Sequence, residues 1–142
     1  MLRIGVLCSV VLLACACGGD DDGQSEEPEA PSRMETPTNL QITIWPSGQD
    51  GPYTQWTLTC PPGGTLPNAA AACRRLNTLG NRAFAPTPKD VACADIYGGP
   101  QVAEVKGSFE GRLVEARYSR TNACEIERWE RVKFLLASSG PT

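Results

Sequence analysis

The stretch WTLTCPPGGTLPNAAAAC, residues 56–73, changes its period halfway, and that change sets the fold class. Up to Cys60 the chain alternates, placing Trp56, Leu58 and Cys60 on one face with the two-residue period of a strand. Pro61-Pro62-Gly63-Gly64 then ends the strand with turn chemistry. From Asn68 alanine dominates and the pattern becomes helical. Asn68 is placed to cap a helix that Gly80 stops, with Cys73, Leu76 and Leu79 or Gly80 on a shared face.

Working outward, LQITIW (40–45) alternates again and puts Leu40, Ile42 and Ile44 on one face. The intervening PSGQDGP is rich in turn formers, so residues 40–60 read as a hairpin with a long loop. Downstream, VAEVKGSFEGRLVEARYS (102–119) gives two more strands around a turn at Glu110-Gly111. Val102, Val105, Leu113 and Ala116 are expected in the core, with a bulge near Gly107 shifting the register. CEIERW (124–129) reads as a short helical turn and RVKFLL (131–136) as a last strand. Strands paired in sequence plus one clear helix give an antiparallel sheet with a helix on one face, an α+β arrangement.

The N-terminus carries export chemistry. A positive start, MLR, precedes an apolar run from Ile4 to Leu13, long enough for a signal core and too short to span a bilayer. Residues 1–14 read as a signal peptide ending in Leu12-Leu13-Ala14 before Cys15, which resembles the lipobox of bacterial lipoproteins. Cys15 is the expected lipidation site. Cys17 lacks the leucine three residues back and is the weaker alternative. Residues 15–38 are acidic, polar and proline-dotted, and bury too little to order themselves. As a flexible tether, about 22 such residues span roughly 25 Å. The folded domain is then expected over residues 39–138, held outside a bacterial membrane that it meets only through a lipid anchor.

Composition narrows the function. With no histidine, the chain lacks the usual general base and every His-dependent nucleophilic arrangement or metal site. A net charge of -3 offers no basic patch for nucleic acid. The scattered acids and serines form no catalytic grouping, so an enzyme is not expected, nor any cofactor or metal. Of seven cysteines, Cys8, Cys15 and Cys17 fall in the export segment, leaving Cys60, Cys73, Cys93 and Cys124. Four allow three pairings, which sequence alone does not decide; joining neighbours is the simplest.

VACADIYGGP (91–100) sets a cysteine two residues before an Asp–Ile bond, with prolines at 86, 88 and 100 restricting both approaches. Such a segment is either a stapled surface loop or a bond presented on a rigid support. Three motifs bear on the choice: WTLTCPPGGTLPNAAAAC, VACADIYGGPQVAEV and GRLVEARYSRTNACEI, in that order. Together with the four cysteines they resemble the Streptomyces subtilisin inhibitor family of secreted serine-protease inhibitors, over about Leu40 to Leu136.

The resemblance implies a five-stranded antiparallel sheet packed with two helices, bridges Cys60–Cys73 and Cys93–Cys124, and commonly a homodimer formed through the sheets. It makes Asp95–Ile96 the reactive-site bond, Asp95 the primary specificity residue, and Val91, Ala92, Cys93, Ala94 and Tyr97 the surrounding loop. Asn122 is expected to support the loop through its side-chain amide, or simply to satisfy a turn. The partner implied is a serine protease, subtilisin-like or acid-preferring. Two departures matter. Ala94 stands where the family often has proline, and an acid stands where it commonly has Met, Lys or Arg. Protonating an aspartate to enter an apolar pocket at pH 7 costs about 4 kcal/mol, a factor on the order of a thousand. The acid therefore points to a protease that accepts acidic residues, or else to a non-inhibitory binding or structural module of the same fold.

Overall fold

The structure, a computed structural model, describes residues 36–136. The signal peptide, Cys15, Cys17 and nearly all of the tether lie outside the described residues. The elements are β1 (Thr38–Trp45), β2 (Thr54–Cys60), β3 (Gly63–Gly64), α1 (Ala69–Leu79), β4 (Val102–Phe109), β5 (Arg112–Ser119) and α2 (Ala123–Val132), with a 3-10 turn at Gly80–Ala83 after α1. The strands form one antiparallel sheet in the order β3-β2-β1-β4-β5. β1 begins at Thr38, buried and paired with Cys60, one residue inside the stretch assigned to the tether.

Alternation works as read in the hairpin. Leu40, Ile42, Ile44 and Leu58 point inward and are buried, and Trp56 packs against them. Ala72, Cys73 and Leu76 of α1 and Val132 of α2, followed by Leu135 and Leu136, close the core. Asn68 precedes α1 as expected, but in the left-handed conformation (φ 58°) and without a side-chain cap. Asparagine tolerates that backbone, and its carbonyl receives the first helical N–H groups, from Ala71 and Ala72.

Three expectations fail, each for an identifiable reason. The ladder runs unbroken through Gly107, which pairs with Leu40 on one side and Val114 on the other, so no bulge shifts the register. A side chain at Gly107 (φ +139°) would collide with the Asn39 carbonyl oxygen; the glycine marks close backbone approach. Without a bulge, parity puts Val114, Ala116 and Tyr118 inside, while Leu113 points out and is 88% exposed. RVKFLL is not a strand. Arg131 and Val132 complete α2, and turns bonded from Leu135 to Val132 and from Leu136 to Lys133 continue it. The spacing of Val132, Leu135 and Leu136 is helical once the preceding helix is in place.

The fifth strand is instead Gly63–Gly64, paired with Thr59 and Leu58 at the sheet edge. Gly64 lies so close to the Thr57 carbonyl that no Cβ fits there. A strand of two glycines leaves no side-chain period to read.

Candidate functional site

Both bridges join sequence neighbours: Cys60 to Cys73, with Cα atoms 5.8 Å apart, and Cys93 to Cys124, 5.5 Å apart. The first ties the end of β2 to α1. The second ties the segment between α1 and β4 to the start of α2. Residues 91–99 of that segment have no regular secondary structure. Val91, Ile96 and Tyr97 are large apolar side chains left 48%, 56% and 69% exposed, and Ala92, Ala94 and Asp95 are exposed with them. Exposed apolar side chains on a tethered loop are a mark of an interaction surface.

The loop is fastened on both sides of Asp95. Upstream, besides the bridge at Cys93, the Ala94 carbonyl accepts the Ala123 N–H at 3.0 Å. Downstream, the Gly98 N–H donates to the Arg120 carbonyl at 2.7 Å, and Gly98 lies so close to Ile126 and Arg120 that a Cβ there would push the Ile126 side chain aside. Between these anchors the Ile96 N–H turns back to the Ala94 carbonyl at 2.9 Å, a three-residue turn centred on Asp95. The turn pushes Asp95 outward. Among the described residues no cation pairs with its carboxylate.

Asn122 supports this arrangement from behind. Its side-chain oxygen accepts the Glu125 N–H at 3.0 Å and caps α2, whose next residue, Ala123, holds the Ala94 carbonyl. Its visible contact is thus a helix cap, and it reaches the loop through the backbone of Ala123. The signal for α2 was present in Asn122-Ala123-Cys124-Glu125, the spacing of a capping asparagine with an acid in the first turn. The structure gathers Val91 to Tyr97, Asn122 and the Cys93–Cys124 bridge into one site. It leaves the Cys60–Cys73 bridge to the scaffold.

Chemically, the site holds an exposed peptide bond, Asp95–Ile96, with its two flanks fixed independently to one support. A small α+β domain with such a loop belongs to the class of loop-presenting, disulfide-braced modules. More narrowly, the chain belongs to the subtilisin inhibitor-like family, whose model matches residues 36–123. It is 34% identical to the subtilisin inhibitor of Streptomyces albogriseolus over 104 residues, covering 69% of this chain and 72% of that one. It is 42% identical to subtilisin inhibitor-like protein 5 of Streptomyces fradiae over 76 residues, 50% of this chain and 68% of that one. Among solved structures, Streptomyces caespitosus sermetstatin in complex with Bacillus licheniformis subtilisin matches with a TM-score of 0.48 and 24% identity, over 72% of this chain and 99% of that one. The family is one of protease inhibitors, not enzymes.

Proposed function

We propose that this protein is a substrate-like inhibitor of exported serine proteases that offers Asp95–Ile96 as its reactive-site bond. The observation that carries the reading is the double fastening of an exposed loop, at Cys93 and Ala94 before Asp95 and at Gly98 after it. A loop held in its bound conformation spares the ordering entropy of binding. Fixed flanks also keep the two new chain ends together after cleavage, so the bond reseals or stays in the cleft. Asp95, exposed and unpaired among the described residues, is free to meet a cation in the specificity pocket of a protease that accepts acids. On this reading the inhibitor is exported and held through a lipid on Cys15 at the outer side of a bacterial membrane, and two copies pair through the exposed outer sheet face around Leu113; the signal-like start of the sequence supports the first and the 88% exposure of Leu113 the second.

The test is an inhibition titration of the purified protein against subtilisin, trypsin and a glutamyl endopeptidase at pH 5.5 and pH 8, repeated with Asp95→Met. Inhibition of the glutamyl enzyme at both pH values, moving to subtilisin in the variant, is the expected result. A wild-type preference for subtilisin at neutral pH would remove the acid-directed part. If neither protein inhibits any enzyme, the fold serves as a binding module and the inhibitor reading falls.

A further inference from the structure

α2 touches the loop segment at a second place, well upstream of the bond. Arg128 is buried, only 8% exposed, one turn before buried Val132 on α2. A buried charge persists only when its donors are satisfied, and its partners here are specific. Its Nε donates to the Ala85 carbonyl at 3.0 Å, and one terminal nitrogen meets Glu125 Oε2 at 2.7 Å. The guanidinium lies over the Tyr118 ring, 5.0 Å from the centroid. The other Glu125 oxygen accepts the Thr87 hydroxyl at 2.9 Å, and the Tyr118 hydroxyl donates to the Ala83 carbonyl at 2.8 Å.

Residues 83, 85 and 87 are thus each fastened to α2 or β5. The chain next reaches a fixed point at Cys93 and Ala94, held by Cys124 and Ala123 of the same helix. Between these two piers residues 88–92 form a short bridge whose one internal contact is a turn from the Val91 N–H to the Pro88 carbonyl. One rigid helix therefore sets the position of both ends of the upstream arm.

We propose that α2 is a two-point clamp on the reactive loop, with Glu125 and Arg128 as positioning residues that set the geometry of residues 88–92. In this role the pair governs how tightly the loop inhibits and how slowly Asp95–Ile96 is cut. The proposal rests on the inhibitor reading above, but its structural half does not. Neither residue touches the bond; they act through Ala85 and Thr87.

Thr87→Val removes the single hydrogen bond to Glu125 and Glu125→Gln removes the charge that meets both Thr87 and Arg128, each with little change of shape, while Glu130→Gln breaks the exposed Glu130–Lys133 pair on the same helix as a control. Three quantities are measured on the full chain: melting temperature, hydrogen–deuterium exchange within residues 88–92, read at the Val91 amide, and inhibition with the rate of cleavage at Asp95–Ile96. Thr87→Val is expected to speed exchange in 88–92 and to weaken inhibition and speed cleavage by about tenfold, at nearly unchanged melting temperature; Glu125→Gln should do the same with a lowered melting temperature, because it also takes the counter-charge from buried Arg128. Glu130→Gln should match wild type. Unchanged exchange in 88–92 would overturn the clamp, and so would losses of inhibition that only track melting temperature. If wild type inhibits nothing, the inhibitor reading fails by itself, and exchange in 88–92 still decides whether the clamp exists.

Discussion

The two disulfides are close in thermodynamic weight and differ sharply in position, so removing each in turn separates scaffold from site. The bridge Cys60–Cys73 closes 13 residues and Cys93–Cys124 closes 31. In the chain-entropy model the first contributes about 3 kcal/mol and the second about 4 kcal/mol. The double variants C60S/C73S and C93S/C124S should therefore both shift urea unfolding to lower concentration, the second slightly further. Inhibition should not follow that order. Cys73 is buried in α1 and holds β2, and its loss leaves every loop anchor in place. Cys93 stands two residues before Asp95, and its loss leaves Ala94 with a single hydrogen bond to the scaffold.

Restoring backbone freedom to about two residues at about 1–2 kcal/mol each makes binding weaker by about 3 kcal/mol. That is on the order of a hundredfold in the inhibition constant. The assay is a titration of protease activity at low temperature, where unfolding curves show both variants folded, with peptide mapping for cleavage at Asp95–Ile96. C60S/C73S should inhibit like wild type; C93S/C124S should inhibit on the order of a hundredfold less well and be cut as a substrate. Equal losses in the two variants, or full inhibition by C93S/C124S, would refute the reasoning.

Tyr118 gives a pH signature. Burial pushes its hydroxyl up to about 12, against a partial lowering by the positive charges of Arg128 and Arg131. The folded state therefore holds this proton more tightly than the unfolded state, whose tyrosine titrates near 10. Its contribution is complete below pH 10 and is lost as pH rises to about 12, on the order of 3 kcal/mol. Urea midpoints across that range should fall in wild type and fall less in Tyr118→Phe; parallel curves would refute it. The side-chain parity of β5 predicts that Val114→Ala costs about 2 kcal/mol, whereas Leu113→Asp stays within about 0.5 kcal/mol as a monomer. The proposed pairing through the sheet predicts a dimer for wild type and a monomer for Leu113→Asp in sedimentation; an unchanged dimer would move the interface elsewhere, and a monomeric wild type would refute the pairing.

Much of this fold is legible because residues 40–45 and 56–60 alternate cleanly and the alanine-rich run after Asn68 has one reading. The misreadings share a cause: local pattern was ambiguous and tertiary contact decided. Leu113 and Val114 are equally apolar, and the unbroken pairing of Gly107 with Val114 chooses between them. RVKFLL suits a strand by composition, but α2 begins at a cap nine residues before its first member, Asn122 before Ala123, and the helical period carries through Val132. The loop was visible in Cys93, Asp95 and Pro100. Its anchors were not, because the Ala94, Gly98 and Arg120 contacts are made by backbone atoms that every residue shares.

The anchors are backbone groups, a disulfide and the Thr87–Glu125–Arg128 cluster, none of which involves the side chain of Asp95. The exposed carboxylate has no role in holding the fold, so substitution there leaves the support intact. Under the proposed function, presentation of the bond and choice of protease are thus carried by different residues. An acid, an apolar residue or a base at position 95 is then compatible with the same scaffold, and on the proposed function selectivity turns on the charge of the pocket that the residue enters. Asp95→Met should accordingly leave the melting temperature of the protein unchanged while altering which proteases it binds; a large stability change would show that the loop and its specificity residue are coupled after all.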